Sequence, residues 1–329
     1  MNNEFFFRVE FSLKTAGILL FSCWISACSY SKVDSDSETY EIPITQQSIT
    51  NITNRVADWQ LGHLHDFDGH IRTFIERSRN PREWHQGTFF KGLADWAMES
   101  GDEEKLLWLR DVGSSQEFKL GDRIYHADDH VVGQYYLALY DYFSDPVMFE
   151  PTQRQFDFIL SAPSDVPLDF NLPGVDEGYY KQCLKRWCWS DALFMSPPVW
   201  TKLTRVTGNH DYVDFANKEF WLTVEYLFDK DSGLFFRDSR FFSKRESNGE
   251  KIFWSRGNGW VFSGLTDIID NLPNDHPDLE KYTELYLAMA AALLPLQTEE
   301  GFWPVSLRAG DLYPVPETSG TAFFIAGLG

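Results

Sequence analysis

The chain has few cysteines, fewer positive than negative charges and none of the common catalytic motifs. Each of these features excludes some classes of function. Its 29 Lys and Arg are outnumbered by 49 Asp and Glu, so the formal net charge is −20. A field of that sign repels nucleic acid, and we expect no nucleic-acid partner. The four cysteines have no histidine at zinc-site spacing, and we predict neither a metal nor another cofactor. A Gly-x-Ser-x-Gly elbow, a P-loop, a dinucleotide fingerprint and a His-Glu-x-x-His motif are all absent.

The first 28 residues have the pattern of an export signal. A basic residue precedes an apolar run, 16–25, that is too short to span a bilayer but matches the hydrophobic region of a signal peptide. Small residues lie directly before Cys28, as in a bacterial lipobox, and we predict that Cys28 is the lipidated first residue of the mature chain. An ordinary cleaved signal peptide is the alternative. Residues 29–44 are rich in Ser, Asp and Glu and are predicted to form a flexible tether between this anchor and an exported domain.

Two further cysteines, Cys183 and Cys188, lie in the body of the chain. A disulfide between them is allowed in an exported protein, and two buried thiols are an equal alternative. The composition there is that of a globular domain, with 43% hydrophobic and 16% aromatic residues over the whole chain, which is ample for a large core.

From residue 45 to residue 329 one unit keeps returning: a helix that is apolar nearly all round, a short polar turn, and an amphipathic helix. Helices near 49–61 and 70–77 come first, and clear units then begin at Trp84, Asp128, Asp191, Arg256 and Glu317, which are 44, 63, 65 and 61 residues apart. A helix that is apolar all round is buried, and an amphipathic one faces solvent. Successive hairpins of this kind stack side by side, so the repeat predicts an all-α toroid of inner and outer helices. Strand-like pieces are few; residues 233–237 are expected to pair with 251–254, and 301–306 to form another small hairpin.

Indole, carboxylate and basic side chains lie at the starts of the predicted inner helices. If the inner helices run the same way around a ring, their N-termini gather at one mouth and form a single cavity. Helix N-termini favour an anionic ligand, and indole faces stack on sugar rings. A carbohydrate-active enzyme is therefore the leading hypothesis.

The stretch from Trp187 to Met195 holds the most informative carboxylate. Asp191 is flanked by Trp187 and Trp189, and aromatic surroundings raise the pKa of a carboxyl group, which makes it a proton donor near neutrality. An Asp at the start of a helix is also common, because the helix dipole favours negative charge there. These residues alone leave both interpretations open.

Five motifs together resemble one enzyme family. They are Trp84-His-Gln-Gly-x-Phe, Asp128 five residues before Gly133, Trp189-x-Asp191-x-Leu-x-Met195, Phe253-Trp-x-Arg-x-x-Gly-Trp260, and Glu317-Thr-Ser-Gly. In this order, over residues 45–329, they are similar to the unsaturated rhamnogalacturonyl hydrolases of glycoside hydrolase family 105, which are relatives of the unsaturated glucuronyl hydrolases of family 88.

The resemblance implies an (α/α)6 barrel that removes a 4,5-unsaturated uronic acid from the non-reducing end of oligosaccharides left by polysaccharide lyases. The implied chemistry is hydration of the double bond. Asp191 would be the general acid that then activates water, and Asp128 the partner carboxylate. The sugar slot would be shaped by Trp84, Trp189, Trp254 and Trp260, with Arg256 in or behind it.

Several assignments carry an alternative. Asp129 could face the site instead of Asp128, since neighbouring helix positions point about 100° apart; we favour Asp128. His85 is either a substrate contact or a core histidine, and Lys181, in a loop near the site, either a contact or a solvated charge. Glu317 is expected to cap its helix. Arg237 stands where many relatives have a histidine, and it could grip a carboxylate or a sulfate, which leaves rhamnogalacturonan-type and ulvan-type substrates both open.

The resemblance also implies that the family fold continues beyond Gly329 by another hairpin and a half. We therefore expect the barrel formed by this chain to be incomplete at its C-terminal end, with an apolar flank that lowers stability. Two other functions are alternative hypotheses: an inverting glycosidase acting on saturated glycans, and a surface barrel that binds glycans without turnover. The oligomeric state is left open.

Overall fold

Helices provide nearly all the regular structure in the computed structural model, which describes residues 45–64, 79–174 and 181–328. The predicted signal segment with Cys28, the tether 29–44 and the helix expected near 70–77 lie outside these residues. Within the described ranges, no helix is both long and apolar enough to cross a membrane.

Long buried helices alternate with amphipathic ones, as the repeat predicts. In chain order the helices are α1 (Gln46–Gly62), α2 (Trp84–Ser100), α3 (Glu103–Ser115), α4 (Ala127–His130), α5 (Val132–Phe143), α6 (Glu150–Ser161), α7 (Ala192–Met195), α8 (Pro197–Thr207), α9 (Asp211–Leu227), α10 (Ser255–Asn271), α11 (Leu279–Leu293) and α12 (Thr318–Leu328). Short 3₁₀ turns occur at Pro146–Met148, Ser239–Phe241, Leu294–Leu296 and Gly310–Leu312.

Burial separates an inner layer of helices from an outer layer. α5 buries every residue from Val132 to Leu139. α6 buries Thr152, Phe156 and Ile159, which share one face at helical spacing. The inner helices contact one another in the order α2, α5, α8, α10, α12, and α3, α9 and α11 pack on the outside of α2, α8 and α10. The described part of the chain therefore forms the predicted toroid of stacked hairpins.

Two inner helices are interrupted near their starts, although the sequence predicts continuous helices there. Ser196 separates α7 from α8, because Pro197 and Pro198 lack the N–H groups that would continue the helix. Val131, between α4 and α5, keeps helical angles of φ −56° and ψ −34°, so that interruption is slight. As a result, Asp128 lies on the one-turn helix α4 and Asp191 directly precedes the one-turn helix α7.

The predicted pairing of residues 233–237 with 251–254 is wrong. β1 (Phe228–Asp229) pairs with β2 (Leu234–Phe235) instead, in an antiparallel hairpin. Gly233 closes its turn with φ +69°, a conformation that glycine adopts without strain, and donates its N–H to the Asp229 carbonyl at 2.9 Å. The later segments form isolated bridges: Arg245 with Lys251, Trp254 with Ser306, and Pro304 with Pro316, so 301–306 is not a hairpin of its own.

The last helix, α12, packs against α10 with Phe324 fully buried. Its opposite side leaves Ile325 58% and Leu328 37% exposed. The effect of this apolar flank on stability remains a prediction.

Candidate active site

A cavity of about 470 Å³ opens at the starts of the inner helices. Within the described residues its walls are formed by Trp84, Arg123, His126, Asp128, Phe170, Gln182, Leu184, Trp189, Asp191, Met195, Arg237, Trp254, Arg256 and Trp260. Residues that are more than 170 positions apart in sequence therefore share one wall. A larger groove of about 740 Å³ runs along residues 296–316, but it holds none of the predicted site residues.

Aromatic rings make up much of the cavity wall. The Trp84 and Trp260 rings meet edge to face, with centroids 6.4 Å apart. Trp189 lies 5.3 Å from the His126 ring, and the Arg256 guanidinium lies 4.2 Å above Trp254. Rings that present faces and edges to a cavity of this size suit the flat apolar surface of a sugar.

Asp191 has the geometry of a proton donor rather than of a helix cap. It occupies the N-cap position of α7, yet its carboxylate makes no capping hydrogen bond in the described structure. It accepts a hydrogen bond from Ser190 Oγ at 2.9 Å and faces the cavity. Burial raises the pKa of Asp191; the Arg237 charge, the Ser190 hydrogen bond and, more weakly, Arg256 oppose that rise without cancelling it. The carboxyl group therefore holds its proton to a higher pH than an exposed aspartate does, as a general acid requires.

Asp128 and Asp129 point in different directions, and only Asp128 reaches the cavity. Its side chain is 19% exposed, against 5% for Asp129. Asp129 is not brought to the site, because its carboxylate turns back to accept hydrogen bonds from the Arg123 backbone N–H and Nε, each at 2.8 Å. Gly121 packs so closely on this carboxylate that a Cβ there would lie 2.4 Å from Asp129 Cγ. Asp129 therefore holds the loop that presents Arg123 to the cavity.

Arg123 and His126 are site residues that the sequence reasoning missed. His126 caps α4: its Nδ1 accepts the Asp128 N–H at 3.2 Å, so that nitrogen carries no proton in this arrangement. Both residues fall in the loop just before Asp128. A histidine at the N-cap of the helix that carries a candidate carboxylate was the available signal for His126, and no local signal marked Arg123. Met195, to which the sequence reasoning assigned no site role, also lines the cavity.

Phe170, Gln182 and Leu184 reach the cavity from a loop that helical periodicity does not describe. Asn171 and Gln182 form a bridge, and the Cys183 N–H donates to the Phe170 carbonyl at 3.1 Å. Lys181, predicted as a contact, is exposed and outside the cavity lining, since the bridge turns Gln182 inward instead. Cys183 and Cys188 are both buried and unpaired thiols in this structure.

His85 also lies outside the cavity lining. Its ring stacks on Trp84 with centroids 3.8 Å apart, behind the indole that does line the cavity. Glu317 caps α12 as expected, because its carboxylate accepts the Gly320 N–H. It also lies 3.6 Å from Arg256, which reaches the cavity from that side.

A buried hydrogen-bond chain joins the two short helices that carry the carboxylates. His130 Nε2 donates to the Ile124 carbonyl at 2.8 Å, so its Nδ1 accepts from Ser196 Oγ at 2.7 Å. Ser196 Oγ in turn accepts from Trp200 Nε1 at 3.1 Å. Burial lowers the pKa of His130 to about 4, which keeps the ring neutral as this chain requires. Gln134 adds a bond of 2.7 Å to the Phe194 carbonyl at the end of α7.

In the described ranges, no three His, Cys, Asp or Glu side chains are grouped as metal ligands. The site consists of two carboxylates, three guanidinium groups, a histidine and aromatic walls, which are groups that move protons and hold anionic sugars.

Comparisons with known proteins agree with this chemistry. The family profile described as Glycosyl Hydrolase Family 88 matches residues 52–329. An "Unsaturated 3S-rhamnoglycuronyl hydrolase" from Alteromonas sp. (strain LOR) is 40% identical over 290 residues, which are 86% of this chain and 70% of that protein. Two solved structures share the fold: a family 88 glycosyl hydrolase from Bacteroides vulgatus, with a TM-score of 0.67 at 24% identity over 82% of this chain and 77% of its own, and a possible member of the GH105 family from Salmonella enterica, with a TM-score of 0.66 at 19% identity over 92% and 80%.

Proposed function

The chain belongs to glycosyl hydrolase family 88, and from that premise we propose that it removes a 4,5-unsaturated uronic acid from the non-reducing end of lyase-generated oligosaccharides. The name of the Alteromonas relative specifies a rhamnoglycuronyl substrate. We therefore take a rhamnose as the sugar released from the unsaturated uronyl group. Elimination at C4 gives the same unsaturated ring from a glucuronyl and from a galacturonyl group, so this choice retains both the ulvan-type and the rhamnogalacturonan-type alternative.

The observation that carries the proposal is the state of Asp191. Its carboxyl group is partly buried in a cavity lined by indoles, makes no capping hydrogen bond to the helix it precedes, and has a pKa that burial raises. Such a carboxyl group holds its proton to a higher pH than an exposed aspartate does, and it can donate that proton to the C4 carbon of an enol ether.

The reaction then proceeds by hydration. Asp191 donates its proton to C4 of the unsaturated ring, and positive charge develops at C5 and the ring oxygen. The ionised Asp191 removes a proton from a water molecule as that water adds to C5. The resulting hemiketal opens to a ketone at C5, the hemiacetal left at C1 collapses, and the rhamnose-terminated remainder leaves. One water is consumed, and Asp191 is protonated again.

Other cavity residues bind and orient the substrate in this scheme. Asp128, which lines the same cavity, accepts hydrogen bonds from sugar hydroxyls. The indoles of Trp84, Trp189 and Trp260 enclose the ring, which limits the access of bulk water to the developing charge.

Loss of the ultraviolet absorbance of the conjugated enol-carboxylate measures the reaction directly. With lyase-generated unsaturated oligosaccharides, the protein should abolish this absorbance, and Asp191→Asn should lower kcat by roughly 10²-fold or more, since it removes the proton donor. Asp275→Asn is a matched control, because Asp275 is an exposed carboxylate in the turn before α11. Full activity in Asp191→Asn would overturn the assignment.

The same assay separates the alternative functions. Release of reducing sugar from saturated glycans with no loss of absorbance on unsaturated ones would indicate an inverting glycosidase. Binding of oligosaccharides without any turnover would indicate a glycan-binding barrel. Either result contradicts the proposed hydrolase.

From the sequence we also propose that the protein is an exported lipoprotein anchored through Cys28. Expressed in a bacterium, the full chain should fractionate with membranes, and Cys28→Ser should release it. Cys23→Ser is the control, since Cys23 lies in the predicted signal segment. Membrane association that survives Cys28→Ser would contradict the lipid anchor.

A further inference from the structure

We propose that Arg237, held by Asp238, is a receptor in the cavity wall for an oxyanion of the substrate. This inference rests on the proposed function for the identity of the substrate. The oxyanion is either the carboxylate of the uronyl group or an ester sulfate on the neighbouring sugar. Both present oxygens that match the planar fork of a guanidinium.

Arg237 is a second cation on the Asp238 carboxylate, which Arg240 already neutralises. Asp238 is fully buried, and Arg240 already satisfies both of its oxygens: Nε donates to Oδ1 and Nη2 to Oδ2, each at 2.8 Å. The Arg240 backbone N–H adds a bond of 3.1 Å to Oδ1. Arg237 adds a single contact, Nη1 to Oδ2 at 2.5 Å. A structural ion pair needs one cation, and this one has two.

The remaining N–H groups of Arg237 are available to a ligand. No acceptor among residues 45–64, 79–174 and 181–328 receives them, and the side chain is 30% exposed where it lines the cavity. Because these N–H groups face an open cavity, they are hydrated in the free protein and can exchange that water for the oxygens of a bound anion. The protein as a whole carries a formal charge of −20, so this local excess of positive charge is not a general property of its surface.

The guanidinium is also held in one orientation. Its carbon lies 5.8 Å from the Phe170 ring centroid and 5.9 Å from that of Trp254, and Asp238 fixes one edge. The Arg237 carbonyl accepts the Ser190 N–H at 2.8 Å, which ties the receptor to the segment that carries Asp191. An anion bound here would therefore be placed at a set distance from the proton donor. A rigid receptor of this kind loses little entropy on binding.

Kinetics on two matched substrates test the receptor and identify the oxyanion. The substrates are unsaturated uronyl-rhamnose disaccharides with and without an ester sulfate on the rhamnose. Arg237→Gln should lower kcat/KM roughly 10–100-fold on at least one of them, as expected for loss of hydrogen bonds to a charged group. Arg237→Lys should recover part of that loss, because it restores the charge but not the fork. The control is Arg205→Gln, because Arg205 is exposed and pairs with Asp141 near the C-terminal ends of α8 and α5, away from the helix starts that form the cavity.

The disaccharide on which Arg237→Gln loses kcat/KM identifies the oxyanion that Arg237 binds. A loss confined to the sulfated disaccharide supports a sulfate receptor, and an equal loss on both supports a carboxylate receptor. An unchanged kcat/KM at the optimum, with only a shifted pH profile, would overturn the proposal and leave Arg237 as a group that adjusts the pKa of Asp191.

A binding measurement keeps this test independent of turnover. Trp254 lies beside Arg237, so its fluorescence should respond when sodium sulfate replaces sodium chloride at constant ionic strength, and the response should be lost in Arg237→Gln. Absence of turnover by the wild-type chain on both disaccharides would contradict the proposed function, whereas an absent fluorescence response together with equal kinetics in Arg237→Gln would contradict the receptor alone.

Discussion

Replacing Ser196 by alanine should loosen the joint between the two short helices that present Asp128 and Asp191. The Ser196 hydroxyl is fully buried and occupies the break between α7 and α8. It donates to His130 Nδ1 at 2.7 Å, and its oxygen accepts from Trp200 Nε1 at 3.1 Å. Removing the hydroxyl leaves one buried donor and one buried acceptor without partners.

The expected cost follows from those two groups. A buried polar group left unsatisfied costs about 1–3 kcal/mol, and an acceptor costs less than a donor, so Ser196→Ala should lower the free energy of unfolding by about 2–4 kcal/mol. If the joint positions the carboxylates, kcat should also fall, by roughly 10-fold for a displacement of a fraction of an ångström. KM should change little, since the aromatic walls remain.

Urea unfolding and steady-state kinetics measure the two effects separately. Thr201→Val is the matched control: Thr201 is buried one turn further along α8, and its hydroxyl bonds only to the Pro197 and Pro198 carbonyls of its own helix. An unfolding free energy equal to that of the control would refute the role of the hydrogen-bond chain in stability. A destabilised variant with wild-type kcat would refute its role in positioning.

Two further predictions come from buried ionisable groups. Asp129→Asn should release the loop that presents Arg123 and raise KM roughly 10-fold with a smaller effect on kcat, because a bound anion loses an oriented guanidinium; an unchanged KM would show that Arg123 does not contact substrate. His130 has a folded pKa of about 4 against an ordinary value of 6.5, so the unfolded chain takes up its proton first as the pH falls. Stability from this group is present above pH 6.5 and is lost by about 3 kcal/mol as the pH falls to 4. The unfolding free energy of His130→Gln should depend less steeply on pH over that interval, and identical slopes would contradict this origin.

Helix positions could be predicted from the sequence because the buried face of a helix appears as a regular spacing of apolar residues along the chain. The helix expected near 49–61 is α1, Gln46–Gly62, and the unit expected from Trp84 begins with α2, Trp84–Ser100. Pro197 and Pro198 are a sequence signal for the break at Ser196. The break was not predicted, because the apolar residues before and after it have the same helical spacing and indicate one continuous helix. The strand pairing failed because residues 228–229, at the end of a long helix, carry no strand pattern that distinguishes them from that helix.

Family membership and the kind of reaction were also readable, because the residues at the inner-helix starts keep their order and chemistry. The expected similarity to unsaturated uronyl hydrolases is confirmed by the family match and by the 40% identical relative. The roles of individual side chains stay predictions that the experiments above address.

The sequence by itself determined that this chain forms stacked helical hairpins with carboxylates and indoles at their starts, since those properties depend on neighbours a few residues away. Only the tertiary structure decided which side chains share the cavity. Asp128 and Asp129 are adjacent in sequence and differ by a rotation of about 100°, and the loop folded around Asp129 selects between them. Arg123, Phe170 and Gln182 join the site through loops that pack against distant segments, and such packing depends on contacts that no local pattern contains.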